Sequence, residues 1–147
     1  MRIAVLNGPN LNLLGTREPD LYGRETLGDI ERVVREAAKA SKTEIAWHQT
    51  NHEGGFVELV QGLRGSAEGA LVNAGAFTHT SLAIRDAMLA VKVPFVEVHL
   101  SNIFAREEQR RHSMLADLAV GIVAGFGPRS YLLGLQALVT HLQSRAA

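Results

Sequence analysis

Cysteine is absent from this sequence, which excludes a disulfide framework, thiolate catalysis and a zinc site built on cysteine. Lysine is scarce: Lys39, Lys42 and Lys92 are the only ones, so most of the 15 basic residues are arginines. Arginine suits the planar recognition of carboxylates, whereas imine chemistry on lysine has few candidate residues here. No apolar run reaches the length of a membrane span and no leader pattern opens the chain, so we expect a cytoplasmic protein without a membrane partner.

The overall composition is that of an ordinary globular protein. Its 147 residues, 46% hydrophobic and 20% charged, suit one domain over 1–147 with a single core. Lys and Arg together number 15, as do Asp and Glu. This balance gives no indication of a nucleic-acid partner.

Five short apolar runs alternate with amphipathic segments along the chain. The runs predict buried strands at 3–6, 45–47, 69–72, 94–98 and 118–124. Helical periodicity predicts a helix over 26–39, which Thr26 and Asp29 are spaced to cap, and further helices around 56–63, 84–91 and 132–142. Strands that alternate with helices form a parallel sheet. We therefore predict an α/β fold, a flavodoxin-like, doubly wound sheet of five parallel strands with helices on both faces.

Residues 7–23 hold two prolines and three glycines and cannot continue a helix or a strand. A structureless segment of this length is usually a binding loop or lid, and we place a lid at about 8–25. It carries Arg17 and Tyr22. A tyrosinate base at neutral pH needs its pKa lowered by about 3 units from ~10, roughly 4 kcal/mol. One nearby arginine typically supplies about 1–3 units, and Arg17 is the first candidate. A tyrosine that pins the loop against the core is the alternative.

Polar side chains cluster where four of the predicted strands end. The clusters span 7–10, 51–53, 73–79 and 99–102. The carboxyl ends of parallel strands meet at one edge of the sheet, where ligands bind beside the reversal of strand order. We expect one site at this edge, although the same residue types also form ordinary turns.

His99 directly follows an apolar strand. With Glu53 expected within reach at the same edge, His99 could be held in one tautomer and act as a general acid. A hydrogen-bonded structural histidine is the alternative. The charged run 106–111 is by default a solvated helix face, but one arginine turned towards the site would clamp a carboxylate.

His79 and Asp86 are seven residues apart, nearly two helical turns. On one helix face they could hydrogen-bond a polyol. A solvated histidine beside an Arg85–Asp86 surface pair explains the same residues equally well.

Several motifs, in order and over nearly the whole chain, resemble those of the type II 3-dehydroquinate dehydratases. They are GPNLNLLG at 8–15, Arg17-Glu18-Pro19, Tyr22-Gly23, QTNHEG at 49–54, Asn73 with Gly75-Ala76, Thr78-His79-Thr80-Ser81, Ile84-Arg85-Asp86-Ala87, VEVHLSN at 96–102, and Arg106-Glu107-Glu108 with Arg110. Ala74, Phe77 and Phe104 depart from the proline, tyrosine and histidine that are usual in the family.

The resemblance implies a lyase of the shikimate pathway that converts 3-dehydroquinate to 3-dehydroshikimate by trans dehydration through an enolate, with no metal and no other cofactor. It implies Tyr22 as the base at C2, with Arg17 lowering its pKa. It implies His99 as the acid, oriented by Glu53, and Asn10 as the residue that positions a water against the enolate. The substrate-binding residues that it implies are Asn73, His79, Asp86, Leu100, Ser101 and Arg110.

The resemblance also implies a homo-oligomer, commonly a dodecamer built as a tetramer of trimers. Two hypotheses stand beside the enzyme. One is a non-catalytic module that binds a small anionic polyol at the same edge. The other is an oligomerisation scaffold, which the apolar last helix suggests. The joint presence of base, arginine and acid favours the enzyme.

Overall fold

The computed structural model describes residues 1–16 and 24–146, which contain one sheet of five parallel strands. The strands are β1 (Arg2–Asn7), β2 (Glu44–Gln49), β3 (Gly69–Asn73), β4 (Phe95–His99) and β5 (Gly121–Ala124). Their order in the sheet is β2-β1-β3-β4-β5, with every neighbouring pair parallel. This is the flavodoxin-like order, and the predicted fold class is confirmed.

Helices cover both faces of the sheet. In the described part of the chain they are α1 (Leu27–Ala38), α2 (Glu53–Gln61), α3 (Leu82–Val91) and α4 (Arg129–Ala146). α1 and α4 pack together on one face, and α2 packs with α3 on the other. Within these described residues, no helix combines the length and the apolar character needed to cross a membrane.

The bounds of the elements follow local hydrogen bonding. α1 begins with the predicted capping box: the Thr26 hydroxyl accepts from the Asp29 N–H at 3.1 Å, and the Asp29 carboxylate accepts from the Thr26 N–H at 2.9 Å. β5 starts later than predicted, because the N–H of Leu118 donates to the carbonyl of Leu115 at 3.0 Å. A turn at 116–118 and a bend at 119–120 therefore replace the first part of the predicted strand.

Gly8 links the carboxyl ends of β1 and β3. Its N–H donates to the carbonyl of Asn73 at 2.8 Å. A Cβ built on Gly8 would lie only 2.2 Å from the carbonyl oxygen of Ala74, so only glycine lets the two backbones approach this closely. The next residues, Pro9 and Asn10, are thereby placed beside the end of β3.

We predict that Gly8→Ala destabilises the fold by about 3 kcal/mol, because the new methyl group must displace backbone rather than a flexible side chain. Gly54→Ala is the matched control, since a Cβ at Gly54 meets no atom within 4 Å. In a helix this substitution stabilises by up to about 1 kcal/mol. Urea denaturation followed by circular dichroism measures both, and equal unfolding midpoints would contradict the prediction.

Candidate active site

A cleft of about 660 Å³, counted with the space open to solvent, lies at the carboxyl ends of β1, β3 and β4. This is the edge predicted from the polar clusters, where ligands bind in open α/β sheets. The residues that line it are Pro9, Asn10, Leu11, Leu14, Asn73, Gly75, Ala76, His79, His99, Leu100, Ser101, Ile103, Arg106 and Arg110. Seven of the residues implied by the family resemblance are therefore brought together.

The remaining four are not at the cleft or are not described. Arg17 and Tyr22 lie outside the described residues. Glu53 opens α2 and is exposed, and Asp86 is exposed on α3; neither lines the cleft.

The expectation that Glu53 orients His99 is wrong. Glu53 follows β2, which is separated from β4 by β1 and β3. Three strand spacings amount to about 14 Å, well beyond a hydrogen bond. The partner of His99 is Glu97, whose carboxylate Oε2 lies 2.7 Å from His99 Nε2.

The Glu97–His99 pair is almost fully buried. Glu97 has no exposed surface and the His99 side chain is 6% exposed. A carboxylate can only accept here, so Nε2 carries the proton of the shared bond. No described residue bonds the other ring nitrogen, Nδ1, and this nitrogen is left for the cleft that the ring lines. The pair holds an imidazole in one tautomer at the edge of a ligand cavity, as a general acid or base requires.

His79 has its own fixed tautomer. It ends a short 3₁₀ helix, Gly75–His79, and α3 begins only at Leu82, so His79 and Asp86 do not share one helix as expected. Nδ1 of His79 lies 2.7 Å from the carbonyl oxygen of His112 and must donate, which leaves Nε2 as an acceptor in the neutral ring. Burial lowers the pKa of His79, outweighing the bond to the His112 carbonyl, and His99 and Arg110 lower it further.

Asn73 is oriented by a buried network that reaches the last helix. Its side-chain amide donates to the Tyr131 hydroxyl at 2.9 Å and accepts from the Gly75 N–H at 3.2 Å. The Tyr131 hydroxyl in turn donates to the Asn7 side chain at 2.6 Å. Burial raises the pKa of Tyr131 far above its usual range, so the phenol stays protonated and can donate.

Asn10 is held at the mouth of the cleft by its backbone. Its φ of 69° is left-handed, a region that asparagine adopts more readily than most residues. The Asn10 N–H donates to the Asn51 side chain at 3.0 Å, and Gln49 also donates to that side chain at 3.0 Å. The polar cluster after β2 thus supports the loop after β1 rather than the ligand cavity.

Two arginines give the cleft a positive wall. Arg106 and Arg110 both line it, on a segment that contains the short 3₁₀ turn Glu108–Arg110 rather than the continuous helix face expected by default. Arg110 is also paired with Glu107. Guanidinium groups in such a wall favour an anionic ligand, a carboxylate in particular.

Arg85 pairs with Asp117 rather than with Asp86, at 2.6 and 3.0 Å.

The departures from the family pattern do not line the cleft. Ala74 is buried against Gly8, Phe77 packs on the core and Phe104 is 53% exposed. In residues 1–16 and 24–146, no three His, Cys, Asp or Glu side chains are grouped so as to hold a metal ion.

Sequence reasoning missed Glu97, because only residues following strands were considered. A usable signal was present: Glu97 is an acid inside an apolar strand, and it is two residues before His99. Side chains two apart in a strand point to the same face. The hydroxyl of Tyr131 could be assigned a role only once its distance to Asn73 was known.

The fold and the cleft define the chain as a flavodoxin-like α/β protein with a buried acid–histidine pair and two cleft-lining arginines at the switch point of its sheet. The chain belongs to the class II dehydroquinase family, whose model matches residues 1–139. The predicted family is thereby confirmed.

Known relatives match over nearly their full length. A 3-dehydroquinate dehydratase of Synechococcus sp. is 56% identical over 143 residues, 97% of each chain. The crystal structure of a type II dehydroquinase from Butyrivibrio crossotus superposes with a TM-score of 0.91 at 38% identity, covering 94% of this chain and 97% of that one. A type II dehydroquinase from Propionibacterium acnes gives a TM-score of 0.90 at 37% identity, covering 95% and 96%.

The lowered pKa of His79 makes stability depend on pH. The unfolded chain binds a proton near pH 6.5 more readily than the folded chain does. Stability from this residue is therefore present above about pH 6.5 and is lost as the pH falls through the folded-state pKa. We predict that His79→Gln loses less unfolding free energy than the wild type between pH 7.5 and 5.5. His141→Gln, in α4, is the control and should keep the wild-type loss; equal losses in all three proteins would contradict the prediction.

Proposed function

We propose that this protein catalyses the trans dehydration of 3-dehydroquinate to 3-dehydroshikimate, a step of the shikimate pathway. The dehydratase activity, rather than a non-catalytic binding module, is what the family and its named relatives support. The structural observation that carries the proposal is the buried Glu97–His99 pair at the edge of a cleft walled by Arg106 and Arg110. It places His99 Nδ1 at the cleft, where the protonated ring donates a proton, beside a site for a carboxylate.

The residue roles follow the chemistry of a β-hydroxy ketone. Tyr22, activated by Arg17, removes a proton from C2, and the electron pair moves into the C3 carbonyl as an enolate. Asn10 positions a water that hydrogen-bonds the enolate oxygen. The enolate then collapses and the C1–O bond breaks. His99, in its imidazolium form, delivers the Nδ1 proton with which the hydroxyl leaves as water, and the ring keeps its Nε2 proton on the bond to Glu97. Glu97 takes the orienting role that had been expected of Glu53.

The remaining cleft residues are proposed to hold the substrate. Arg110 and the Leu100–Ser101 segment face its carboxylate, and Asn73 and His79 bind its hydroxyls. The neutral ring of His79, with Nδ1 bonded to His112, presents Nε2 as an acceptor for a hydroxyl proton. We further propose a single domain over 1–147, a lid at about 8–25, a cytoplasmic location and a reaction that needs no metal or other cofactor.

A homo-oligomer, up to the dodecamer of four trimers common in the family, accounts for two features of α3. Leu82 and Leu89 are 62% and 48% exposed, and seven-residue spacing places them on one face with Asp86 between them. An apolar face of this kind is stabilised by a second copy of the chain. Asp86, which is remote from its own cleft, would then be available to a neighbouring subunit.

The activity is tested by mixing the purified protein with 3-dehydroquinate, with a metal chelator present, and following the ultraviolet absorbance of the conjugated enone. We expect steady turnover, and no adduct trapped by borohydride, because no lysine takes part. Tyr22→Phe should reduce turnover by a factor of 10² or more, the contribution of a positioned base, while substrate binding measured by calorimetry persists. Near-wild-type turnover would reject Tyr22 as the base, and binding without turnover in the wild type would reject the dehydratase.

The oligomer is tested by sedimentation of Leu82→Lys/Leu89→Lys beside the wild type. We expect the wild type to sediment as an assembly and the double variant as smaller species, because two buried lysines lack partners in an apolar interface. Ala40→Lys, which adds charge at another exposed position, should assemble like the wild type. A monomeric wild type would contradict the proposal.

A further inference from the structure

Both oxygens of the buried Glu97 carboxylate have defined partners. Oε2 is 2.7 Å from His99 Nε2, and Oε1 accepts from the Ser113 hydroxyl at 2.7 Å. Ser113 lies outside the cleft lining and has no contact with the ligand cavity. Ser113 therefore contacts His99 only through Glu97, and it would contact a bound ligand only through Glu97 and His99.

The surroundings of Ser113 fix the direction of its proton. Its Oγ accepts from the N–H of Leu115 at 3.1 Å and from the N–H of Ala116 at 3.0 Å. A hydroxyl has two acceptor lone pairs and one proton. With both lone pairs occupied, the proton of Ser113 is directed to Glu97.

The backbone around Ser113 is fixed on both sides. The carbonyl of His112 accepts from His79 at 2.7 Å, and the N–H of Met114 donates to the Thr78 carbonyl at 2.8 Å. Arg85 donates to the Met114 carbonyl at 2.8 Å and also binds Asp117. Residues 112–117 are therefore bonded to His79 directly and connected to His99 through Glu97.

We propose that Ser113 is a positioning residue of the active site, which fixes the rotamer of Glu97 and through it the ring plane and tautomer of His99. A carboxylate bonded through one oxygen only can rotate about its terminal torsion, which is broad and two-fold. A second donor on the other oxygen removes that freedom. This role rests on the proposed function and adds to it the residue that orients the acid, His99.

The competing reading is that Ser113 only caps the turn at 115–116. In that case its loss lowers stability and nothing else. Ser81 is a matched control for this role, because its hydroxyl caps α3 by accepting from the Ile84 N–H at 3.0 Å and has no contact with Glu97. Ser81→Ala removes a capping hydroxyl while leaving the pair intact.

We expect Ser113→Ala to lower kcat about tenfold, with KM changed less than twofold. The reason is that a poorly oriented His99 slows the chemical step without removing a substrate contact. Ser113→Thr, which keeps the hydroxyl, should recover kcat to within about threefold of the wild type. Ser81→Ala should keep the wild-type kcat. Equal kcat in Ser113→Ala and the wild type, or a threonine variant as slow as the alanine variant, would overturn the proposal.

A second measurement does not depend on turnover. The ring nitrogen shifts of His99 are read by NMR through its carbon-bound protons in ¹⁵N-histidine-labelled protein and assigned by their loss in His99→Gln. We expect the Nε2 shift to move in Ser113→Ala and to stay in place in Ser81→Ala. Unchanged shifts in Ser113→Ala would overturn the role of Ser113. If the wild type lacks dehydratase turnover, the proposed function fails, while the shifts still decide whether Ser113 positions His99.

Discussion

A carboxylate without access to water needs hydrogen-bond donors at fixed positions, and Glu97 is such a carboxylate. Its burial inside β4, an interior strand of the sheet, is costly unless both carboxylate oxygens accept hydrogen bonds. One donor comes from the same strand, two residues along, and the other from a segment 16 residues later in the chain. The ring of His99 and the path of residues 112–117 therefore depend on the same buried charge. That shared dependence couples the position of the acid to the segment whose His112 carbonyl accepts from His79.

The sheet supplies the other constraint. Because the strand order reverses between β1 and β3, the loops that follow these two strands diverge and leave a crevice at their carboxyl ends. The contact between Gly8 and Ala74 sets how closely that crevice closes at its base. The loop after β1, the 3₁₀ helix after β3 and the segment after β4 each contribute polar groups to the crevice. These three connections meet at this edge because each follows the carboxyl end of a parallel strand.

The apolar runs and helical periodicities predicted the five strands and the four α-helices of the described residues, because burial on both faces of a parallel sheet imposes a clear pattern. They did not predict the short 3₁₀ helices such as Gly75–His79. The pattern failed at 118–120, where the end of a turn and a bend precede β5: the N–H of Leu118 donates to the Leu115 carbonyl and that of Ala119 to the Ala116 carbonyl. The polar clusters after β1, β3 and β4 also predicted the edge at which the cleft lies, whereas the cluster after β2 does not line it. Choosing Glu97 rather than Glu53 as the partner of His99 requires the order of the strands in space, which periodicity does not contain. The bonds of Tyr131 and Ser113 join segments far apart in the chain and have no local pattern.

The network of Asn7, Tyr131 and Asn73 has a consequence for the order in which the protein is made. Tyr131 comes 124 residues after Asn7 and 58 after Asn73, so a growing chain contains both amides well before the hydroxyl that bonds them. Contacts between distant segments bear the largest loop-closure cost. Every residue assigned to the chemistry or to the substrate is synthesised before the helix that orients Asn73. The ribosome therefore synthesises all of the active-site residues before the helix that orients Asn73. A chain that ends before this helix contains the active-site residues but lacks the helix that orients Asn73.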